Sequence, residues 1–299
     1  ISFFAMYSTE QGKLGYYTEN HLYRFSIFFI VFIIVSFFRI QFWYNSAYLF
    51  YFVILVLLFA VDFFGVTSSG SKRWINLFFI NLQPSELMKI ALITFLARYY
   101  NKISTDDVSQ IKYTIIPLFA LFIPFTLIIT QPDLGTAVLV LAGGLTVVWL
   151  SGYKIKYFMF LFATLVCLMP VVISFLKPYQ KLRILAFFDP ERDPLGSGYQ
   201  IIQSKIAVGS GGIWGKGLLK GTQNYLEFLP EKHTDFIFTL FSEEFGFLGS
   251  LALLSIYSLM IYRIIFIGTI CRSFFAKLYC YGFGAAIFIY VVVNMSMVL

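Results

Sequence analysis

Pro230-Glu231-Lys232-His233-Thr234-Asp235 runs straight into Phe236-Ile237-Phe238. Four ionisable side chains crowd the mouth of an apolar helix, and about sixty polar, glycine-rich residues lead up to them. This is the one long non-apolar stretch of the chain. On either side the sequence falls into apolar runs near the length of about 20 residues that an α-helix needs to cross a bilayer. Of 299 residues, 59% are hydrophobic and 12% charged, and the mean hydropathy is +0.81. Soluble domains carry roughly 45–50% apolar and 25% charged residues. The composition excludes a soluble enzyme and predicts an all-α, polytopic integral membrane helix bundle with one large loop.

Working outward, the expected spans are Tyr23–Phe38, Trp43–Phe64, Pro84–Tyr100, Tyr113–Thr130, Leu134–Leu150, Phe158–Leu176, Phe236–Tyr262 and Phe274–Leu299. Pro84 sits at an early helical position that suits proline. Pro117 and Pro124 predict kinks in the fourth span, and Gly143-Gly144 predicts close helix packing in the fifth. Gly65–Asn81, with Ser68-Ser69-Gly70-Ser71-Lys72-Arg73-Trp74, reads as a surface loop. Residues 177–235 form the large loop of a single domain covering 1–299. Ile1–Met6 resembles the tail of a further span, and Leu299 stands inside an apolar run, so both ends read as truncated. The three cysteines, Cys167, Cys271 and Cys280, show neither metal-ligand spacing nor a disulfide framework.

Orientation follows from the basic residues of the short loops, since cytoplasmic loops carry the excess. One set holds Arg39, Arg98, Lys102, Lys112, Lys154, Lys156, Arg263, Arg272 and Lys277; the other holds Lys13, Arg24, Lys72 and Arg73. Nine against four places the first set inside. The large loop, Ser68–Asn81, Gln131–Asp133 and Asp235 then face outward, where they could converge on a single extracytoplasmic site. The net charge of +7 points to anionic headgroups or a phosphate-bearing ligand more than to nucleic acid.

Several residues are candidates for chemistry. Asp235 suits both a helix N-cap and a general base at the membrane surface. His233 is a rival base or a solvated loop histidine. Glu243 and Glu244 lie roughly 12 Å further along the helix, well inside the hydrocarbon, where acids are costly and are either functional or paired. Glu86 and Lys89, three apart, share a helix face and predict an ion pair; Lys89 could instead meet Glu243, Glu244 or a ligand phosphate. Asp133 in Gln131-Pro132-Asp133-Leu134-Gly135 predicts an N-cap. Gly209-Ser210-Gly211-Gly212-Ile213-Trp214-Gly215-Lys216-Gly217 allows a backbone cradle for a pyrophosphate or a turn-rich loop on the membrane surface. Arg183, Lys205, Lys216 and Lys220 supply basic groups for an anionic ligand.

Taken together, Arg73-Trp74-Ile75, Gln83-Pro84-Ser85-Glu86-Leu87-Met88-Lys89, Gln131–Thr136, Phe188-Asp189-Pro190, Gly198-Tyr199-Gln200, Gly209–Gly217 and Phe228–Phe236 resemble, in this order, the motifs of the SEDS family (shape, elongation, division, sporulation). Phe-Leu-Pro-Glu followed by His-Thr-Asp-Phe is more similar to its rod-shape branch than to its division branch. The resemblance implies a ten-span fold, of which this chain holds about eight spans and part of the first. It implies a glycosyltransferase that polymerises lipid II and releases undecaprenyl pyrophosphate. The family's essential aspartate falls on Asp235, and its Trp, Glu and Lys fall on Trp74, Glu86 and Lys89. The implied partners are a class B penicillin-binding protein, other elongation-complex proteins and membrane lipids. No metal cage is visible, so a divalent cation such as Mg would sit with the substrate pyrophosphate. The rival readings are a lipid flippase or transporter, which needs a polar path across the full membrane depth, and a non-catalytic scaffold.

Overall fold

The computed structural model describes residues 2–68, 71–76, 81–175, 181, 182, 185, 189, 198–222 and 234–298. Arg183 and His233, both candidates above, lie outside these residues. The described elements are α1 (Ser2–Thr9), α2 (Tyr16–Ser36), α3 (Ile40–Phe64), β1 (Val66–Ser68), β2 (Ser71–Asn76), β3 (Asn81–Leu82), α4 (Pro84–Tyr100), α5 (Ile111–Thr130), α6 (Leu134–Leu150), α7 (Ile155–Phe175), α8 (Tyr199–Ser210), α9 (Ile237–Ile270) and α10 (Phe274–Val298). The helices α2–α7, α9 and α10 coincide with the eight expected spans. Five of them, α2, α3, α5, α9 and α10, are long and apolar enough to cross a membrane.

The expected surface loop between α3 and α4 is instead a small antiparallel sheet of order β1-β2-β3, with Val66 opposite Trp74 and Ile75 opposite Leu82. Reading the segment by its serines and glycine missed the β-branched and aromatic residues that pair across it. The large loop likewise contains a helix, α8, beginning at the Gly198-Tyr199-Gln200 motif.

The chain divides into two compact units. One comprises residues 1–33, 162–259 and 291–299; the other comprises 34–161 and 260–290. Each of α2, α7, α9 and α10 contributes residues to both units.

The second unit is built around α3, α4, α5 and α6. On α3 the buried residues are Ala47, Tyr51, Ile54, Leu58 and Val61, spaced by four, three, four and three, which makes one stripe. Of these, Tyr51, Ile54 and Leu58 meet Met88, Leu92, Leu96, Leu121, Ile128, Val140 and Val147 in a single apolar cluster. The outward side chains are equally apolar: Leu49, Phe52, Val56, Phe59 and Phe63 of α3 are all exposed. Such a surface suits lipid and not water. Without a hydrophobic drive between helices in lipid, close packing must hold them. Gly144 shows how: a Cβ there would collide with Leu121 of α5 and Leu92 of α4.

The two prolines inside α5 each remove a helical donor, leaving the carbonyl four residues back without its partner. Pro117 frees the Tyr113 carbonyl, and Tyr99 Oη of α4 donates to it at 3.2 Å. Pro124 frees the Ala120 carbonyl, and Tyr51 Oη of α3 donates to it at 2.9 Å. In a bilayer an unpaired carbonyl costs several kcal/mol, so two tyrosine hydroxyls make the two proline turns tolerable.

Candidate functional site

Asp235 stands exposed in the turn 234–236, immediately before α9. The expected cap is displaced by one residue. Phe236 holds the last non-helical position, and its carbonyl accepts from the N–H groups of Thr239 (3.1 Å) and Leu240 (3.4 Å). Asp235 sits one position outside it. The Phe236 ring is buried with Leu240 and Val298, against Val208 and Phe238. Beneath them Ser204 Oγ of α8 shares a hydrogen bond with Thr239 Oγ1 (2.7 Å) and donates to the Val298 carbonyl (2.8 Å). The carboxylate is thus carried on a turn anchored by α8, α9 and the end of α10. Lys205, next to Ser204, is exposed on α8.

About three turns beyond, α9 breaks. Gly246 has φ 65° and ψ −164°, a conformation open chiefly to glycine. An unbroken helix would pair the Phe247 and Leu248 N–H groups with the Glu243 and Glu244 carbonyls. Here Phe247 N donates to the Gly212 carbonyl (2.9 Å) and Leu248 N to that of Ile213 (3.1 Å). In return, Lys216 N donates to the Glu243 carbonyl and Gly217 N to that of Glu244, both at 3.0 Å. The glycine run therefore exchanges four backbone hydrogen bonds with the broken helix. Of the amides proposed for a pyrophosphate cradle, those of Gly211, Gly212, Gly215, Lys216 and Gly217 already donate to backbone carbonyls, while residues 211–214 form turns, in keeping with the reading of a turn-rich segment. Glycine is required by contact: a Cβ on Gly211 would strike the Ser242 carbonyl, one on Gly215 the Glu244 carbonyl, and one on Gly246 the Gly215 nitrogen.

The two glutamates face this crossing. Glu243 is fully buried. Its Oε1 accepts from Lys216 Nζ (2.6 Å), Thr222 N (2.8 Å) and Thr222 Oγ1 (2.8 Å). Lys216 Nζ also donates to Thr222 Oγ1 at 2.9 Å. Glu244, 3% exposed, accepts from Ser8 Oγ of α1 and from the backbone N–H groups of Leu219 and Gly221. Lys216 is thus the counterion of Glu243, while Lys89 of α4 is 2.7 Å from Glu86 and 4.6 Å above the Tyr290 ring. The helix is regular from Ile237 through both glutamates, and its break at Gly246 lies just beyond them. The stretch from Phe247 to Ile270 that follows the break is long enough by itself to cross a bilayer. The same geometry carries α9 past the expected end at Tyr262, and Arg263 lies within the helix, 5.8 Å from the Phe266 ring.

In the second unit a polar cluster surrounds Asp133. It caps α6 as expected, accepting from Thr136 N (3.2 Å) and Thr136 Oγ1 (2.9 Å). It also accepts from Gln83 Nε2 at 3.2 Å and lies 3.7 Å from Arg73 Nε. Arg73 donates further to the Pro132 carbonyl. The Gln83-Pro84, Gln131-Pro132-Asp133 and Arg73-Trp74 motifs are therefore tied into one knot at the head of α6, with Trp74 half-buried on β2 beside it in sequence. Glu86 and Lys89 form the intrahelical pair that their spacing predicts. Sequence reasoning missed Gln83, Thr222, Ser8 and Gly246 as participants. The only available signal was Gly246 directly following Glu243-Glu244-Phe245.

Comparison with known proteins matches this architecture. The FtsW/RodA/SpoVE family model, described as a cell cycle protein, matches residues 2–299. The peptidoglycan glycosyltransferase MrdB of Escherichia coli K12 is 45% identical over 251 residues, covering 83% of this chain and 67% of that protein. Stage V sporulation protein E of Bacillus subtilis is 36% identical over 251 residues, covering 83% and 67%. A chain from a solved peptidoglycan synthase complex, in which polymerization and crosslinking are coordinated, superposes with TM-score 0.79 at 27% identity, covering 95% of this chain and 79% of that one. Thermus thermophilus RodA, at 22% identity, shares the fold with TM-score 0.70, covering 98% and 79%. With eight described helices at the expected spans, five of them long and apolar enough to cross a membrane, and a family match over residues 2–299, the chain is a multi-pass membrane protein that belongs to the FtsW/RodA/SpoVE family.

Proposed function

We propose that this chain is a peptidoglycan glycosyltransferase of the rod-shape branch, polymerising lipid II into glycan strands, with Asp235 as its general base. The observation that carries the reading is an exposed carboxylate on a turn held by Phe236 and the Ser204–Thr239 bond, in a chain 45% identical to a peptidoglycan glycosyltransferase. A base must be accessible and fixed in direction to take a proton. Asp235 accepts the proton of the acceptor sugar hydroxyl. The resulting oxygen attacks the donor's anomeric carbon, the bond from that carbon to the pyrophosphate breaks, and the electron pair leaves on undecaprenyl pyrophosphate.

Lys205, an exposed basic residue of α8 next in sequence to Ser204, is assigned to the anionic part of the substrate, with Arg183, Lys220 and His233 as further candidates from the sequence. Lys216 is committed to Glu243 and serves the joint. Among the described residues no group of three or more His, Cys, Asp or Glu is placed to hold a metal. A divalent cation such as Mg would ride on the substrate pyrophosphate, where it would neutralise leaving-group charge. Trp74, Glu86, Lys89 and Asp133 are positioning residues of the second unit. The membrane is the bacterial inner membrane, with Asp235 outside. A class B penicillin-binding protein is the proposed partner, by likeness to the chain from a complex that coordinates polymerization and crosslinking.

The test is polymerisation of lipid II by the full-length protein with its cognate penicillin-binding protein, wild type against Asp235→Asn. The variant is expected to lose about 10²- to 10⁴-fold in rate with unchanged expression and partner binding. Equal rates would remove Asp235 from the chemistry. Absence of polymer from both, together with lipid II movement across liposomes, would favour the transporter.

A further inference from the structure

Two hollows on the outer surface of the second unit share a wall. The larger, about 420 Å³, lies between α6, α9 and α10 and is lined by Thr146, Trp149, Ile265, Tyr281, Gly284 and Phe288 among others. The smaller, about 210 Å³, is lined by Leu145, Thr146, Trp149, Ile155 and Phe158. The larger volume falls within the roughly 300–1,000 Å³ typical of ligand pockets. Trp149, half exposed, borders both hollows. Gly284 keeps the larger one deep. A Cβ there would meet Ile265 Cγ1 at 3.4 Å, so a longer side chain would occupy the space. The hydroxyl of Thr146 is turned to the Ala142 carbonyl at 2.8 Å, which leaves the linings almost wholly apolar.

Charge gathers at one end. On α10, Lys277 precedes Tyr281 by four residues and Gly284 by seven, which puts it on the face that lines the hollow. Arg272 lies in the link after α9, and Lys154 and Lys156 flank Ile155 of the smaller hollow. Arg263 is on the opposite side of α9 from Ile261 and Ile265 and takes no part. The acids closest to this end are Asp106 and Asp107 of the α4–α5 link, which reaches the turn before α7 through Ser109 Oγ and Lys154 N at 3.1 Å. Asp107 is held by Ser104 Oγ (2.6 Å) and Gln110 Nε2. Four basic groups therefore gather at this end of the hollows, with Asp106 and Asp107 in the α4–α5 link and Asp107 engaged by Ser104 and Gln110.

We infer that the paired hollows bind an anionic phospholipid, one acyl chain on each side of Trp149, with the phosphate among Lys154, Lys156, Arg272 and Lys277. A partner helix needs one uninterrupted groove, and Trp149 divides this surface, whereas a two-chain lipid fits two slots. Basic groups beside clefts between transmembrane helices select anionic over zwitterionic headgroups.

The test is quenching of Trp149 fluorescence in the full-length protein in nanodiscs of phosphatidylcholine doped with brominated phosphatidylglycerol or, separately, brominated phosphatidylcholine. The Trp149 signal is isolated as the difference from Trp149→Phe. Brominated phosphatidylglycerol is expected to quench at lower mole fraction. Lys277→Gln and Arg272→Gln should each weaken that preference about fivefold, and Gly284→Leu should abolish the preferential quenching with helix content unchanged. Equal quenching by both lipids overturns the site, and so does insensitivity to Lys277→Gln, a surface change that leaves the fold alone. Release of the crosslinking partner by Gly284→Leu with phosphatidylglycerol quenching intact would assign the surface to a helix instead. None of these readings depends on polymerisation, so this site and the role of Asp235 fail separately.

Discussion

In α5 two prolines delete two helical donors, and single hydroxyls from Tyr99 and Tyr51 replace them. In α9 one glycine breaks the helix, and a second stretch of backbone, about thirty residues earlier in the chain, replaces what is lost. The first repair is local and made by side chains: each tyrosine reaches one carbonyl, and the helix that carries it stays regular. The second is made by main chain and works only where side chains are missing at Gly211, Gly215 and Gly246. It also comes with a buried ion pair, which the α5 repair lacks. The difference teaches where each region is vulnerable. The proline turns depend on what a residue offers. The joint depends on what its residues do not have, and on two charges that must be kept together.

The sharpest break should come from adding a methyl group at the crossing. Gly215→Ala and Gly246→Ala combine positive φ (80° and 65°) with a collision against main chain, and should destabilise by more than roughly 4 kcal/mol or prevent folding. Gly209→Ala, with nothing within 4 Å of its new Cβ, should be neutral or slightly stabilising in the same thermal-unfolding assay in detergent. If all three behave alike, the crossing is not what holds the helix.

Next come the charges. Lys216→Met strands the Glu243 carboxylate in a fully buried position and should cost about 3–5 kcal/mol. Lys216→Met combined with Glu243→Met should recover most of that loss. A double variant no better than the single one would mean that Lys216 acts through packing rather than charge.

On the other side of the comparison, Tyr51→Phe should cost about 1–3 kcal/mol by leaving the Ala120 carbonyl unpaired. Pro124→Ala in that background should rescue it, because the helical N–H returns. No rescue would show that the hydroxyl is not repairing the proline turn.

The smallest effect concerns Glu10 in the turn before α2. Burial acts to raise its carboxyl, but hydrogen bonds from Thr18 Oγ1 and from the N–H groups of Thr18, Tyr17 and Gly15 outweigh it and hold it below the ordinary value of 4.5. Its folded value lies below its unfolded one, so its stabilisation is complete above the unfolded value and fades as pH falls through the folded one. The gap in unfolding temperature between wild type and Glu10→Gln should therefore shrink on acidification below about pH 4.5. A constant gap would give Glu10 a pH-independent, packing role.

Periodicity made the helices legible, since a run of about 20 apolar residues is a local property. Pro84–Tyr100 and Leu134–Leu150 match to the residue, and Asp133 caps α6 because capping is also local. What escaped was long-range exchange. No window around Glu243 shows that its carbonyl accepts from Lys216, and no window around Gly209–Gly217 shows which donors are already used. The sheet at Val66–Leu82 escaped because short strands give little periodic signal, and polar serines masked their paired apolar residues.

The joint at Gly246 also separates what is fixed from what can vary. Between its glycines, Ile213, Trp214 and Leu218 project outward, Trp214 with 81% of its surface open. None of these side chains makes the four crossing hydrogen bonds. A lineage could therefore change every one of them, and alter what this outer surface meets, without loosening the helix that carries Asp235. Selection on the crossing acts through its small residues and the Lys216–Glu243 pair, so the loop is a socket whose other fittings can be exchanged.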